Sequence, residues 1–343
     1  MSPPLREGAA PVLELRELRK TFAPRGLLAR RRGAPVPAVD GVDLRLDPGS
    51  TTALVGESGS GKSTLARLIL HLHRADSGRI LIDGEEVQQL SERDFRRFRA
   101  DVQMVFQNPL TSFDPVHTIG ASIKETMRLR PPAGDPDARL AELLEEAGLS
   151  ARFAGLRPRD VSGGELQRAG IARALSVTPR LVVMDEPTSA LDMSIQGQVL
   201  ELLARLQRAH DLTYLIVTHD LRTVRMVAER VVVMYLGQVV EEGPTEAVFD
   251  DPRHPYTRGL LYAHDLAGRD AERDRAVRIR GSLRYPAAGD RGCRLAGRCP
   301  LATARCAEPQ PLAEVGAGRR ARCWRGVEGP LAETAEAAGA DAA

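Results

Sequence analysis

One turn constrains this chain more than any other feature: "STTALVGESGSGKST", running from Ser50 to Thr64. Its apolar start reads as a short strand. After it, Leu65, Leu68, Ile69 and Leu72 recur at i, i+3, i+4 and i+7, one apolar face of a helix. Between strand and helix, Gly56, Glu57, Ser58, Gly59, Ser60, Gly61, Lys62, Ser63 and Thr64 match the pattern G-x-x-x-x-G-K-[ST]. Glycines let backbone N–H groups converge on a phosphate chain. Lys62 can then reach the outer phosphates, and the Ser63 hydroxyl can ligate Mg²⁺.

The rest of the chain supplies a sheet for such a turn. "PVLELREL", "RILIDG" and "VQMVF" read as strands. "LVVMD" and "TYLIVTHD" are short apolar runs of the kind buried on both faces of a parallel sheet. Ile195, Val199, Leu202, Leu203 and Leu206 mark an amphipathic helix, another follows near 221–229, and "VVVMYLG" to "VVEEG" reads as a hairpin. A charged, mostly helical stretch fills about 120–150. Alternating strands and helices predict an α/β core with a largely parallel central sheet. The Ala-rich acidic end, 326–343, reads as a disordered tail.

Composition narrows the class further. A formal charge of +2 over 343 residues points to neither nucleic acid nor a membrane surface. No apolar run approaches the ~18 residues of a spanning helix, and "MSPPLREGAA" lacks a signal peptide's apolar stretch, so a cytosolic chain is expected. Only three lysines occur, Lys20, Lys62 and Lys124, and one stands in the phosphate turn, where a compact ammonium is the preferred point charge. The four cysteines all lie in the last fifth of the chain, which marks that region as separate.

Several strand ends carry chemistry. In "LVVMDEP", Asp185 can hold a metal directly or through water, and Glu186 beside it can take a proton from attacking water. His219 ends the "TYLIV" strand, where it could contact the γ-phosphate; Gln107 in "VFQNP" offers a neutral amide to Mg²⁺. "VSGGELQR" is a second anion-holding element. Ser162 caps a helix while Glu165 reaches back, and Gly163 and Gly164 leave backbone N–H groups uncovered. Ser162 is far along the chain from Lys62, too far to be expected at the same γ-phosphate.

These residues in this order resemble the ATP-binding cassette (ABC) ATPases over roughly 12–250. The resemblance implies a phosphate-loop core with a helical subdomain at about 110–175 and an N-terminal antiparallel β region. A small cysteine-containing extension at 251–325 follows, and 1–11 is expected to be disordered. It also implies that two cassettes pack head to tail, each "SGGE" segment capping ATP held by the partner's loop. Phe22 would stack on adenine, and the "SALD" loop with Ser189 and Asp192 would lie at the dimer contact. Glu186, His219 and Lys62 would be catalytic, and Mg²⁺ would sit on Ser63, Gln107 and Asp185.

"DPRHPYTRGLLYA" is similar to the extension of oligopeptide and dipeptide importer ATPases, and the insertion "PRGLLARRRGAPVPAVDGV" looks like their F-type subunit. The partners implied are a second, different ATPase chain, two transmembrane permease subunits and, indirectly, an extracytoplasmic solute-binding protein. Nucleic acid is not among them, and the expected location is peripheral, on the cytoplasmic face of the membrane. Cys293, Cys299, Cys306 and Cys323 are separated by five, six and sixteen residues, and each has an arginine neighbour. Clustered cytosolic cysteines favour metal over a disulfide, and Cys299-Pro300 resembles one iron–sulfur signature. A [4Fe–4S] cluster, zinc, disulfides and free thiols all stay open. Outside the importers, the rival is a soluble accessory ATPase of an enzyme complex, of the carbon–phosphorus lyase type. A regulatory cassette without catalysis is less compatible with Asp185–Glu186.

Overall fold

The computed structural model describes residues 10–22, 36–264, 278–283, 285 and 291–331. The expected disorder of residues 1–9 and of the tail beyond 331, and most of the basic insertion after Phe22, lie outside these. Two sheets organise the chain. The first is antiparallel: β1 (Leu13–Phe22) lies between β2 (Val36–Leu46) and β4 (Ser77–Ile82), with β5 (Glu85–Glu86) at the edge.

The second sheet holds β3 (Thr51–Val55), β6 (Val102–Val105), β7 (Leu181–Asp185), β8 (Thr213–Thr218) and β9 (Arg230–Tyr235) in the parallel order β9-β3-β8-β7-β6. Period-two alternation sends successive side chains to opposite faces. In β7 and β8, Val183, Leu215 and Val217 pack with Leu65, Leu68 and Ile69 of α1 (Lys62–Ile69). Their neighbours Val182, Met184, Tyr214 and Ile216 pack with Leu166 and Leu202 from the opposite side. A sheet covered on both faces is what the continuous apolar runs required.

The helical region is built from α3 (Ile119–Met127), α4 (Pro136–Glu146) and α5 (Gly163–Leu175), following the single-turn α2 (Glu92–Phe95). Their starts are fixed by side-chain caps: Thr118, Asp135 and Ser162 each accept a backbone N–H of their own first turn. Leu140, Leu143, Leu144, Leu166 and Ile171 form their shared core, which continues into α6 (Met193–His210).

Three departures from the sequence reading are physical. Helix α1 stops at Ile69, because His71 adopts a left-handed φ of 56°, and Leu72 is left half exposed. The cysteine-bearing region is not set apart. Beyond α7 (Leu221–Val227), the sheet gains β10 (Gln238–Pro244) antiparallel to β9, followed by α8 (Thr245–Asp250) and α9 (Pro255–Ala263). From the extension, β11 (Ala313–Glu314) and β12 (Arg320–Ala321) then continue the same sheet, Glu241 pairing with Ala321 and Glu242 with Arg320. Finally, the segment expected as tail from 326 begins as part of helix α10 (Trp324–Glu328), and Leu331 is buried.

Candidate active site

The phosphate loop leaves β3 and enters α1 with glycine at the positions where the fold admits no side chain. Gly56 has φ 148° and Gly61 φ 108°, and an added Cβ would overlap the carbonyl oxygens of Met234 and Ala38 respectively. The loop is therefore pressed against the backbone of β9 and β2. Lys62 is folded into it, its Nζ donating to the Gly56 carbonyl (2.6 Å), the Glu57 carbonyl (2.9 Å) and the Ser60 hydroxyl (3.3 Å). Burial lowers the Lys62 pKa, while the carboxylates of Glu186, Asp185 and Glu57 work the other way. A buried cation whose hydrogen bonds go to neutral oxygens is suited to an incoming anion.

A cavity of about 730 Å³ opens over this loop. Phe22, Ser58, Gly59, Gly61, Lys62, Ser63, Thr64, Gln107, Glu186 and His219 all line it, so parallel-strand ends bring together residues spread over most of the chain. The Ser63 hydroxyl donates to Asp185 Oδ1 at 3.3 Å, and burial raises the Asp185 pKa. Glu186 sits just past β7 with a left-handed φ of 48°. Its carboxylate accepts from the Gln107 amide (2.6 Å) and faces His219 Nδ1 (2.8 Å). Phe22 is 39% exposed and meets His73 edge-on at 5.6 Å, so it is not a core residue.

The second anion-holding element lines a different cavity. Ser162, Gly163, Gly164 and Glu165 surround about 530 Å³ together with Leu191, Asp192 and Ile195, and no residue is shared with the loop cavity. The capping box is formed: the Ser162 N–H donates to Glu165 Oε2 (2.9 Å), as does its hydroxyl (2.7 Å). Those two donors hold the Glu165 carboxyl below its ordinary value. Of the loop between β7 and α6, Ser189 stays beside Glu186, donating to its carbonyl at 3.2 Å. Asp192, three residues on, lines the cavity beside Ser162.

Three contacts from beyond residue 250 reach the phosphate loop, and sequence reasoning missed all of them. The Tyr256 hydroxyl accepts from the Glu57 N–H (2.7 Å), Arg298 donates to the Glu57 carboxylate (3.1 and 3.4 Å), and the Tyr285 hydroxyl donates to the Gly59 carbonyl (3.1 Å). Arg298 and Glu57 are 241 positions apart, and no periodicity signals such a pair. The four cysteines are free thiols. Burial pushes Cys293 up to about 11 and Cys299 up to about 12; the other cysteines add to both shifts, so the four thiols share one neighbourhood. Among the described residues, no group of three or more His, Cys, Asp or Glu is placed to hold a single metal ion. Neither the zinc nor the iron–sulfur reading therefore finds a ready site among the described residues, and the disulfide reading finds no bond there.

A chain that divides its anion-holding surfaces between two cavities, with its acidic edge beside only one, has the build of an ATP-binding cassette ATPase. A family profile described as "ABC transporter" matches residues 39–189, and one described as "Oligopeptide/dipeptide transporter, C-terminal region" matches 240–306. The oligopeptide transport ATP-binding protein AppF of Bacillus subtilis is 42% identical over 88% of this chain and 92% of its own length. OppF of Salmonella typhimurium is 42% identical over 81% of this chain and 84% of its own. The glutathione import ATP-binding protein GsiA of Escherichia coli is 45% identical over 80% of this chain, which spans 44% of GsiA. The solved dimeric cassette MJ0796, in a post-hydrolysis state with ADP and Pi, superposes with TM-score 0.60 at 29% identity over 68% of this chain and 98% of its own. The chain belongs to the ABC ATPases of the oligopeptide/dipeptide importer family. Its C-terminal match speaks for that branch over a soluble accessory ATPase. No described helix is long and apolar enough to cross a membrane.

Proposed function

We propose that this chain powers uptake of peptides or related small solutes from the cytoplasmic face of a membrane, and that each of its ATP sites is completed by a second, different ATPase chain. The observation that carries this reading is the separation of loop and Ser162 helix into cavities with no common lining residue. One copy offers half of each of two sites. Two permease subunits are the partners of the outer surface. Beside Gln107, an apolar groove lined by Leu70, Leu72, Met104, Phe106 and Leu129 supports a permease segment docking there. A solute-binding protein acts on the far side, and nucleic acid takes no part.

In this reading residues 12–250 form the cassette and 251–325 its extension. ATP lies with its base against Phe22 and its phosphates in the loop, its γ-phosphate drawing Lys62 out of the carbonyls that hold it. Ser63, Asp185 and Gln107 form an oxygen-rich set suited to Mg²⁺, which supplies charge neutralisation at the outer phosphates. Glu186 takes the proton of the attacking water, with His219 orienting its carboxylate. His219 and Lys62 then face the charge that develops on the γ-phosphate. From the other chain, the Gly163 and Gly164 N–H groups close on the same phosphate.

The four cysteines are assigned here to a [4Fe–4S] cluster. Burial makes the free thiolates of Cys293, Cys299 and Cys323 costly, so bound cations are what would stabilise them together. Cys293, Cys299, Cys306 and Cys323 would hold the cluster, and Arg294 and Arg322, which line one cavity with Cys293, would offset its negative charge. Protein purified without oxygen should carry iron and visible absorbance; colourless, iron-free protein removes this assignment.

The central test is assembly. Chain held strictly monomeric should bind ATP and hydrolyse almost none, and turnover should appear only on reconstitution with its partner chains. Full-speed hydrolysis by the monomer would overturn the shared-site reading.

A further inference from the structure

Helix α9 begins with His254, Pro255 and Tyr256, a motif to which importer chemistry gives no task. The structure shows how it is built. The buried Glu241 carboxylate accepts the Arg253 N–H (2.7 Å) and His254 N–H (2.9 Å), and the His254 ring accepts the Tyr256 N–H (3.1 Å). Pro255 starts the helix without a donor to satisfy. This fixes a fully buried Tyr256 ring against Tyr235, centroids 4.6 Å apart, with its hydroxyl on the Glu57 N–H. From the cysteine segment, Arg298 reaches the same residue. Its side chain is 13% exposed and donates to both Glu57 carboxylate oxygens and to the Tyr235 hydroxyl (3.3 Å).

We propose that the C-terminal extension positions the phosphate loop for ATP by holding Glu57 from both ends, Tyr256 at its backbone N–H and Arg298 at its carboxylate. Arg298 and Tyr256 are positioning residues, not catalytic ones: neither lines the nucleotide cavity. Glu57 is the first residue after Gly56, where the chain leaves β3, so its orientation sets the direction of every N–H that follows. Tied to Tyr256, the Glu57 N–H fixes the direction of the loop's first turn, and the carboxylate is kept neutralised beside an anion site. Without the tie, a free carboxylate near the loop repels ATP, and the loop must be ordered by the nucleotide itself. This inference rests on the phosphate loop being the ATP site.

The test uses the full chain, with equilibrium binding of a fluorescent ATP analogue, and the assembled importer, with steady-state hydrolysis. Arg298→Ala should weaken ATP binding about three- to tenfold, the range of a lost charge-assisted hydrogen-bonded pair, and raise KM while kcat stays within about twofold. Arg298→Lys, which keeps the charge and loses the fork, should fall between. In a Glu57→Ala background Arg298→Ala should add nothing, the mark of one shared interaction. Tyr256→Phe, which keeps the packing, should weaken binding through the Glu57 N–H alone. Arg305→Ala, whose partner Glu328 lies away from the loop, is the control expected to match wild type. Unchanged KM in Arg298→Ala, or additive effects with Glu57→Ala, would overturn the proposal. If Lys62→Ala still binds ATP normally, it is the site reading that fails instead.

Discussion

The loop face and the Ser162 face of this chain are built in opposite ways. Around the loop, two sheets, α1 and three side chains of the extension fix a nine-residue turn, and a buried lysine is folded into it. At the Ser162 face there is only a capped helix end, and its acidic side chain is spent on its own cap. The first face is complete enough to bind nucleotide alone. The second has N–H groups, a helix dipole and Arg168 in its lining, whose guanidinium donates to Gln198 (2.8 Å) rather than being folded into a turn as Lys62 is. What joins them is short: Gln167 of α5 is buried and donates to the Pro187 carbonyl (2.8 Å), just after Glu186. That bond ties the Ser162 helix to the segment that follows Glu186.

The largest expected effect belongs to the loop face. Glu186→Gln keeps the hydrogen-bonding shape toward Gln107 and His219 but removes the base. Turnover in the assembled complex should drop by about two to four orders of magnitude while ATP still binds. Phosphate release and nucleotide binding, measured on the same preparation, check this. Near-normal turnover would take Glu186 out of the mechanism.

Next comes the opposite face. At Gly163 an added Cβ finds nothing nearer than Leu191 Cδ2 at 3.8 Å, so Gly163→Asp fits the fold. It places a negative charge where a partner's phosphate should arrive. Hydrolysis by the complex should fall about tenfold to a hundredfold, and ATP binding by the isolated chain should not change. Should the isolated chain also lose ATP binding, the two faces are not independent and the contrast fails.

What could be read from sequence follows the same division. The loop, the Asp185–Glu186 pair, Gln107, His219 and the Ser162 cap are local patterns, each set by neighbours in sequence; the structure gathers all but the cap at the parallel-strand ends and gives the cap a cavity of its own. Long-range polar pairs leave no such trace. Arg298 looks like any of the many arginines here, and only folding of the extension against β9 reveals it beside Glu57. The short β12 strand was equally invisible: two residues pairing with β10 carry no period. Leu72 misled because its spacing fits a helix that a left-handed His71 has already ended.

A smaller effect probes the loop face by pH, through two buried titratable groups that seat α9 behind it. Burial drives His254 from 6.5 down to about 3, and drives Glu241 from 4.5 up to about 7. Below pH 6.5 the unfolded chain takes a proton that native His254 refuses, so stability falls with acidification. From pH 7 to 4.5 native Glu241 takes a proton the unfolded chain does not, so stability rises. In wild type the two slopes oppose each other between about 4.5 and 6.5, and below that range only the His254 loss remains. His254→Asn keeps an acceptor for the Tyr256 N–H and removes one slope. Its melting temperature should climb by a few degrees as pH drops from 7 to 4.5, where wild type stays flatter. Parallel melting curves for the two proteins would show that this buried pair does not set the pH response.

The smallest effect is the most discriminating for the Ser162 face. Glutamate at 165 puts a carboxylate on the helix end that, in the proposed assembly, would meet the partner's ATP, where charge alone should oppose binding. The structure places that carboxylate on the Ser162 N–H and hydroxyl, at the helix N-terminus where a negative charge is stabilised. Glu165→Gln retains an acceptor for the same N–H and closes the same capping box. Because the side chain is solvent-screened and already turned away, assembled ATPase activity should move by no more than about twofold. A salt titration of the two forms makes the distinction: a carboxylate facing the partner's phosphate would make wild type gain more from added salt than the Gln form. Curves that run together leave Glu165 as a cap, and curves that diverge make it part of the shared site.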